Sequence, residues 1–375
     1  MGKIFLIGDT HIALGYPNKV DKWHKVHEQY FRDFLIPTLK EKATPDDIII
    51  HLGDLFDNRN IIPINLMNFA LDVVEEMSRI CPLHIIVGNH DSWAKSASEI
   101  NTIRPFKYIP NVFIYDKTTK IEHQGVNLLM MPYIHHKKEQ IDEILNNKDC
   151  EYLFCHSDLN GCRMHLTSVA HKNLNKIDVK DFSSFKKVYS GHIHIVQRNK
   201  NFTFVGSNFQ MDRNDMGDQK GIFVLDLEDG IEEFIPNNIS PVFKKIYVKT
   251  ESDVTRLSEI DDTDYIDILI SNSLLMENRK IRRKLEVILE QKKFETIDYI
   301  DDIVEKVDES KNEDDIVLEE DENGKIDISI SLDYEDYIKE YINKQKFNSE
   351  EFRKGIIEEY DKIVDVYKEE FKDKV

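Results

Sequence analysis

Five short clusters of metal-ligating residues, each placed directly behind an apolar run, constrain this chain more than any other feature. The clusters are Gly8-Asp9-Thr10-His11, Gly53-Asp54-Leu55-Phe56-Asp57, Gly88-Asn89-His90-Asp91, Cys155-His156-Ser157 and Gly191-His192-Ile193-His194. The runs before them are Ile4-Phe5-Leu6-Ile7, Ile48-Ile49-Ile50, Ile85-Ile86-Val87, Tyr152-Leu153-Phe154 and Val188-Tyr189. Short runs rich in β-branched and aromatic residues read as buried strands. The polar residues then sit where strands end, and in layered α/β folds such ends share one edge. Each cluster alone is weak, because a Gly-Asp or Gly-His pair is usually a turn. Five in succession, each behind a strand run, are hard to obtain by chance.

The residue types suit two divalent cations. Asp9 and His11 alternate by two and can share one side of a strand end. Asp54 can bridge two ions with its two oxygens, Asn89 offers an amide oxygen, and His156, His192 and His194 offer imidazole nitrogens. Oxygen and nitrogen donors without thiolates suit manganese, iron or zinc. Two such ions can clamp the attacking and leaving oxygens of a phosphoryl displacement. His90 adjoins Asn89 and is expected to point away from the ions, where it can meet a phosphate or protonate a leaving oxygen. Asp91 is expected to orient that imidazole through a hydrogen bond. Arg59 offers a guanidinium fork for phosphate, or a structural salt bridge. His24 and His27 read as surface or helix-face histidines. His135-His136, behind Met130-Met131-Pro132-Tyr133, read as the rim of the site or as plain loop.

Residues 1–240 alternate strand and helix patterns, with helices expected at 22–42, 64–80 and 137–146. Pro37 should bend or end the first. Strands dominate from 202 to 235, and two packed sheets with helices outside account for this order. Turn residues at 236–241 mark a boundary. Strands at 245–249, 265–271 and 294–300 and a helix at 274–292 then make a small α+β unit over 241–304. Residues 305–333 read as an acidic linker. Residues 334–375 read as a helical hairpin, with Phe352, Ile356, Tyr360, Ile363 and Tyr367 on one aromatic-rich face that packs on this chain or docks a partner.

Charge divides the chain. Residues 1–250 carry 32 Asp and Glu against 30 Lys and Arg, whereas residues 251–375 carry 38 against 20. If the first part binds a polyanion, the acidic last third must face away or be covered. No apolar run approaches a membrane span, and no basic stretch with an apolar core opens the sequence. The expectation is a cytoplasmic protein without a membrane segment. The four cysteines lack a CxxC pair and read as reduced, mostly buried thiols.

The order GD-x-H, GDLFD, GNHD, an isolated His and GH-x-H resembles the calcineurin-like metallophosphoesterases, over roughly residues 1–235. The resemblance implies an α/β (α+β) fold built on a two-sheet β-sandwich flanked by helices. It implies that Asp9, His11 and His194 hold one ion, that Asn89, His156 and His192 hold the other, and that Asp54 bridges them. His90 takes the role of catalytic histidine. Within that superfamily the whole chain is similar to the SbcD-type nucleases and looks like their phage-encoded branch, the recombination endonuclease small subunits. That implies a host-cytoplasmic manganese-dependent DNA nuclease, working in repair or recombination with an SbcC-type coiled-coil ATPase. The 241–304 unit becomes a DNA-capping domain and the tail an ATPase-binding hairpin. A homodimer is implied through helices at 64–77 and 93–103. Charge departs from this pattern: only Arg279, Lys280, Arg282, Arg283, Lys284 and Lys292-Lys293 form a basic patch, which reads as DNA contact or as a solvated helix face. Two other functions fit the motifs. One is a phosphoesterase acting on a phosphoprotein or small molecule. The other is a subunit serving mainly to assemble or regulate the ATPase.

Overall fold

The computed structural model describes residues 2–13, 20–94, 97–166, 176–258, 264–277, 279–291 and 296–300, with a few isolated positions besides. The chain divides into two compact units, Met1–Asp302 and Ile303–Val375. In the second, Lys354, Ile357 and Tyr360 are described, and each is helical. Phe352, Ile356, Ile363 and Tyr367 lie outside the described residues.

Two six-stranded sheets form the body of the first unit. In spatial order the first sheet runs Glu232–Pro236, Gly221–Asp226, Lys3–Ile7, Ile48–His51, Leu83–Ile86 and Val112–Tyr115. The second runs Gln197–Asn199, Phe202–Phe204, Lys187–Gly191, Tyr152–His156, Val126–Met131 and Thr119–His123. Strand alternation sorts the side chains into layers. Ile4, Leu6, Ile48 and Ile50 of the first sheet share one core with Leu128, Met130, Tyr152 and Phe154 of the second. Phe5, Ile7, Ile49 and Ile85 point the other way, into a core with Tyr30, Phe31, Phe69 and Val73. Leu129, Leu153, Cys155 and Val188 face outward from the second sheet and pack with Ile144 and Phe182. Strands buried on both faces must be apolar at every position, which is why these runs are continuous.

The helices follow the expected order with local differences. Residues 20–42 form Val20–Gln29, a π-turn over Tyr30–Leu35, and Ile36–Lys42. The wide turn lies immediately before Pro37, whose missing N–H and bulky ring disfavour a regular α-turn. Pro63 caps Ile64–Ser78, and Lys137–Asn146 forms as expected. Among the described residues of 93–103 the expected helix does not occur. Ser92–Ala94 and Ala97–Asn101 pair as an antiparallel hairpin, closed by the Thr102 amide donating to the Asp91 carbonyl at 2.9 Å.

A separate three-stranded parallel sheet follows, of Phe243–Val248, Tyr265–Ser271 and Thr296–Ile300. Ile266, Ile268 and Ile270 pack against Val254 and Leu257 of Glu251–Leu257 and against Ile281, Leu285 and Ile288 of Arg279–Gln291. The helix expected over 274–292 occurs as Asn272–Glu277 and Arg279–Gln291. On the strand's other side Asp267 receives Arg213 through two bonds of 2.5 and 2.8 Å. All four cysteines are free, three of them buried. No described helix is long and apolar enough to cross a membrane.

Phe154 is fully buried between the two large sheets, stacked on Tyr189 with centroids 5.7 Å apart. Phe154→Ala should lower unfolding free energy by about 3–5 kcal/mol, measured by urea denaturation. A loss below about 1 kcal/mol would contradict this packing.

Candidate metal centre

The strands that precede the five clusters are neighbours and run parallel. Lys3–Ile7, Ile48–His51 and Leu83–Ile86 pair in parallel in the first sheet. Tyr152–His156 and Lys187–Gly191 do so in the second. Their C-terminal ends therefore open on one edge, and the loops converge there.

Asp54 sits at the centre of this convergence. His11, Asp54 and His192 all adopt left-handed backbone conformations, with φ of 42°, 55° and 79°. Such conformations cost about 1–3 kcal/mol each and persist only where surroundings over-determine them. Here the surroundings are explicit. The Asp54 carbonyl accepts the amides of Thr10 and His11 at 3.2 and 3.0 Å. Its carboxylate accepts the His90 amide at 2.7 Å. The Asp9 carboxylate accepts the His192 amide at 2.9 and 3.1 Å. Gly88 has to be glycine, since an added Cβ would lie 2.1 Å from Asp54 Oδ1.

Two of the donor groups share Asp54. Asp9, His11 and Asp54 form one, and Asp54, His156 and His192 the other; within each group the ligand atoms lie within 4.8 Å of one another. Asp54 belongs to both. His194 joins the first, its Nε2 3.2 Å from His11 Nε2. Asn89 joins the second, its Oδ1 2.8 Å from His156 Nε2 and 2.7 Å from His192 Nδ1.

The donor chemistry fits a cation. His156 Nδ1 donates to the Leu52 carbonyl at 2.8 Å, and His192 Nε2 donates to Asp158 at 2.9 Å. In the neutral rings the lone pairs of His156 Nε2 and His192 Nδ1 then face each other at 3.3 Å and face Asn89 Oδ1. Acceptors converging without a donor need a proton or a metal between them. Burial opposes a charged His156, yet the Asp54 and Asp9 carboxylates raise its pKa to about 9. The position attracts positive charge.

His90 belongs to neither of these groups but forms a third with His11 and Asp57; its ring meets that of His11 edge-on with centroids 4.8 Å apart, and 37% of its side chain is exposed. Its Nδ1 donates to the Asp57 carbonyl at 2.7 Å, which leaves Nε2 as the nitrogen available outward. The expected bond from Asp91 to the His90 ring gives way to another role. Asp91 is fully buried, and its carboxylate accepts the amides of Asp54, Gly88, Leu55 and Phe56 at 2.8, 3.0, 3.1 and 3.3 Å. Unsatisfied loop amides compete for it more strongly than one exposed imidazole.

Several supporting residues were not legible in the clusters. His27, expected as a surface or helix-face histidine, is fully buried, and its Nε2 donates to the His11 carbonyl at 3.0 Å. Asn208 Nδ2 donates to the Gly8 carbonyl at 2.9 Å. The buried Lys220 donates to the His194 carbonyl at 2.6 Å and pairs with Asp215 and Asp218. Asp158 links His192 to Lys176 Nζ, the latter at 2.7 Å. Only Asp158 carried a signal, an acid two residues past His156. Arg59 is half-buried and has no ion pair among the described residues. Arg279, Arg282 and Arg283 are exposed on one helix, where Arg282 pairs with Glu286 at 3.1 Å.

Asp158→Ala should weaken divalent-cation binding about 10- to 100-fold, measured by calorimetric titration with Mn²⁺, with folding checked by circular dichroism. Unchanged affinity would remove Asp158 from the support of His192.

Comparison with known proteins agrees with this geometry. The calcineurin-like phosphoesterase family matches residues 2–196. Exonuclease subunit 1 of Enterobacteria phage T4 is 30% identical over 247 residues, 63% of this chain and 68% of that protein. A putative phosphoesterase of Invertebrate iridescent virus 6 is 29% identical over 217 residues, 56% of this chain and 70% of the relative. One of Invertebrate iridescent virus 3 is 24% identical over 55% of this chain and 57% of its own length. With its family signature carried on five loops where the strand ends of both sheets meet, this chain belongs to the calcineurin-like phosphoesterases.

Proposed function

We propose that this protein is a metal-dependent DNA nuclease that hydrolyses phosphodiester bonds and works with an SbcC-type coiled-coil ATPase in DNA repair or recombination. The observation that carries the reading is the pair of donor groups sharing Asp54. The similarity to a phage exonuclease subunit supports DNA as the substrate.

In this reading Asp9, His11 and His194 would hold one ion, Asn89, His156 and His192 would hold the second, and Asp54 would serve both. Manganese suits this mixed set of oxygen and nitrogen donors. When bound, a pair of divalent ions supplies an acidified water and charge neutralisation on the phosphoryl oxygens. The protein holds the parts in register. Asp158 and the Leu52 carbonyl fix the rings of His192 and His156. Asp91 holds the Asp54 loop from behind. His90, its Nδ1 committed to the Asp57 carbonyl, presents Nε2 to the substrate and, when protonated at both nitrogens, passes the Nε2 proton to the leaving oxygen. Arg59 supplies a fork for a phosphate, and Arg279, Arg282 and Arg283 contact the DNA backbone further out. The 241–304 unit caps the DNA. The aromatic-rich face of Phe352, Ile356, Tyr360, Ile363 and Tyr367 docks the ATPase, and two copies of the chain act together.

His90→Ser should retain the Mn²⁺ affinity of the wild type and lose cleavage of end-labelled duplex DNA by at least about 100-fold. Undiminished cleavage would remove His90 from the chemistry. Assaying the wild type with a phosphopeptide and a cyclic nucleotide beside the duplex decides the substrate class, and DNA should be preferred. A chain ending before residue 330 should cut DNA at the basal rate and fail to co-purify with the ATPase. Co-purification that survives the truncation would place the docking surface elsewhere.

A further inference from the structure

The loop 132–136 leaves the strand Val126–Met131 beside the metal centre. Its rings extend outward from the ligands. The Tyr133 ring lies 5.8 Å from the His192 ring and 6.0 Å from the His156 ring. His135 lies 6.5 Å beyond Tyr133, and His136 lies 5.0 Å beyond His135. Tyr133 is half-buried, whereas His135 and His136 are exposed.

The loop is held in place at several points. The Tyr133 amide donates to the Val87 carbonyl at 2.9 Å, directly before Gly88-Asn89. Ile134 packs into the outer core of the second sheet, and its carbonyl accepts Gln140 Nε2. The His136 carbonyl accepts the Gln140 amide at 3.1 Å. With Ile134 turned into the core, Tyr133 and His135 on either side of it turn toward the site and solvent. The Tyr133 hydroxyl has no hydrogen-bond partner among the described residues.

We infer that Tyr133 and His135 form a stacking subsite for one nucleobase of a single nucleic-acid strand, next to the phosphate at the metal centre. This rests on the nuclease reading above and adds how a nucleotide is held. Every base offers a π-face, so aromatic rings bind strands without reading their sequence. No Lys, Arg, Asp or Glu occurs in residues 132–136, so the loop offers a ring surface and no charged contact. Its anchored backbone presents that surface already ordered, which limits the entropy lost on binding.

The test pairs ring removal with base removal in the full-length protein with Mn²⁺. Single-stranded oligodeoxynucleotides carry an abasic residue at each position in turn near the scissile bond. Tyr133→Ala should raise KM for the intact strand about tenfold, and His135→Ala should raise it in the same direction. At one position the abasic strand should erase the difference between wild type and Tyr133→Ala. Tyr133→Phe should stay close to wild type. An equal penalty on intact and abasic strands at every position would mean that the ring only steadies His192, and the subsite would be wrong. A Phe variant as impaired as Ala would assign the role to the hydroxyl and also overturn stacking. Quenching of a 2-aminopurine base in a phosphorothioate-linked strand is read in parallel. Quenching by a wild type that cuts no DNA would keep the subsite and overturn the nuclease reading. Neither quenching nor cleavage would overturn both.

Discussion

Asp54 is the residue on which the rest of the site depends. Its backbone is left-handed, so its carbonyl, amide and carboxylate point in directions that no regular strand end would allow. The carbonyl fixes Thr10 and His11, the amide is held by Asp91, and the carboxylate holds the His90 amide and belongs to both donor groups. One strained residue thus sets the positions of three loops. The strain, about 1–3 kcal/mol, is offset by hydrogen bonds from loop amides, even though burial and the nearby Asp54 push the Asp91 carboxyl up to about 7. Asp91 provides those bonds, and that explains why a buried carboxylate inside the signature stays away from the substrate.

The two sheets share the work unequally. The first delivers Asp9, His11, Asp54, Asn89 and His90 from three adjacent parallel strands. The second delivers His156, His192 and His194 from two. The centre is assembled only where the sheets pack, through the shared core of Ile4, Leu6, Phe154 and Tyr189. Ligand geometry therefore depends on sheet packing. A change in that core moves one set of ligands against the other, and small displacements of that kind matter greatly for phosphoryl chemistry. The segment after Phe204 adds a further tie: Asn208 and Lys220 hold the carbonyls of Gly8 and His194, while Arg213 binds Asp267 of the third sheet.

Local patterns carried much of this. The apolar runs announced the strands that became the two sheets, and the residues behind them are the ones that converge. Pro63 marked a helix start where one occurs. Legibility failed where a residue's role depends on a distant partner. His27 reads as an ordinary helix histidine until its ring is seen under the His11 carbonyl. Asp91 reads as a partner for its neighbour until four amides from two loops are found around it. Residues 93–103 carry apolar side chains compatible with a helix, but the Thr102 to Asp91 bond closes them as a hairpin.

By itself the sequence determined the strand runs, the donor types and their order, because periodicity and residue chemistry are local properties. Tertiary structure alone decided how the donors divide into two groups with Asp54 in common, and which nitrogen of each imidazole faces inward. Both depend on contacts between loops more than 100 residues apart, such as Leu52 with His156 and Asp9 with His192. Such contacts exist only after hydrophobic burial has brought the two sheets together.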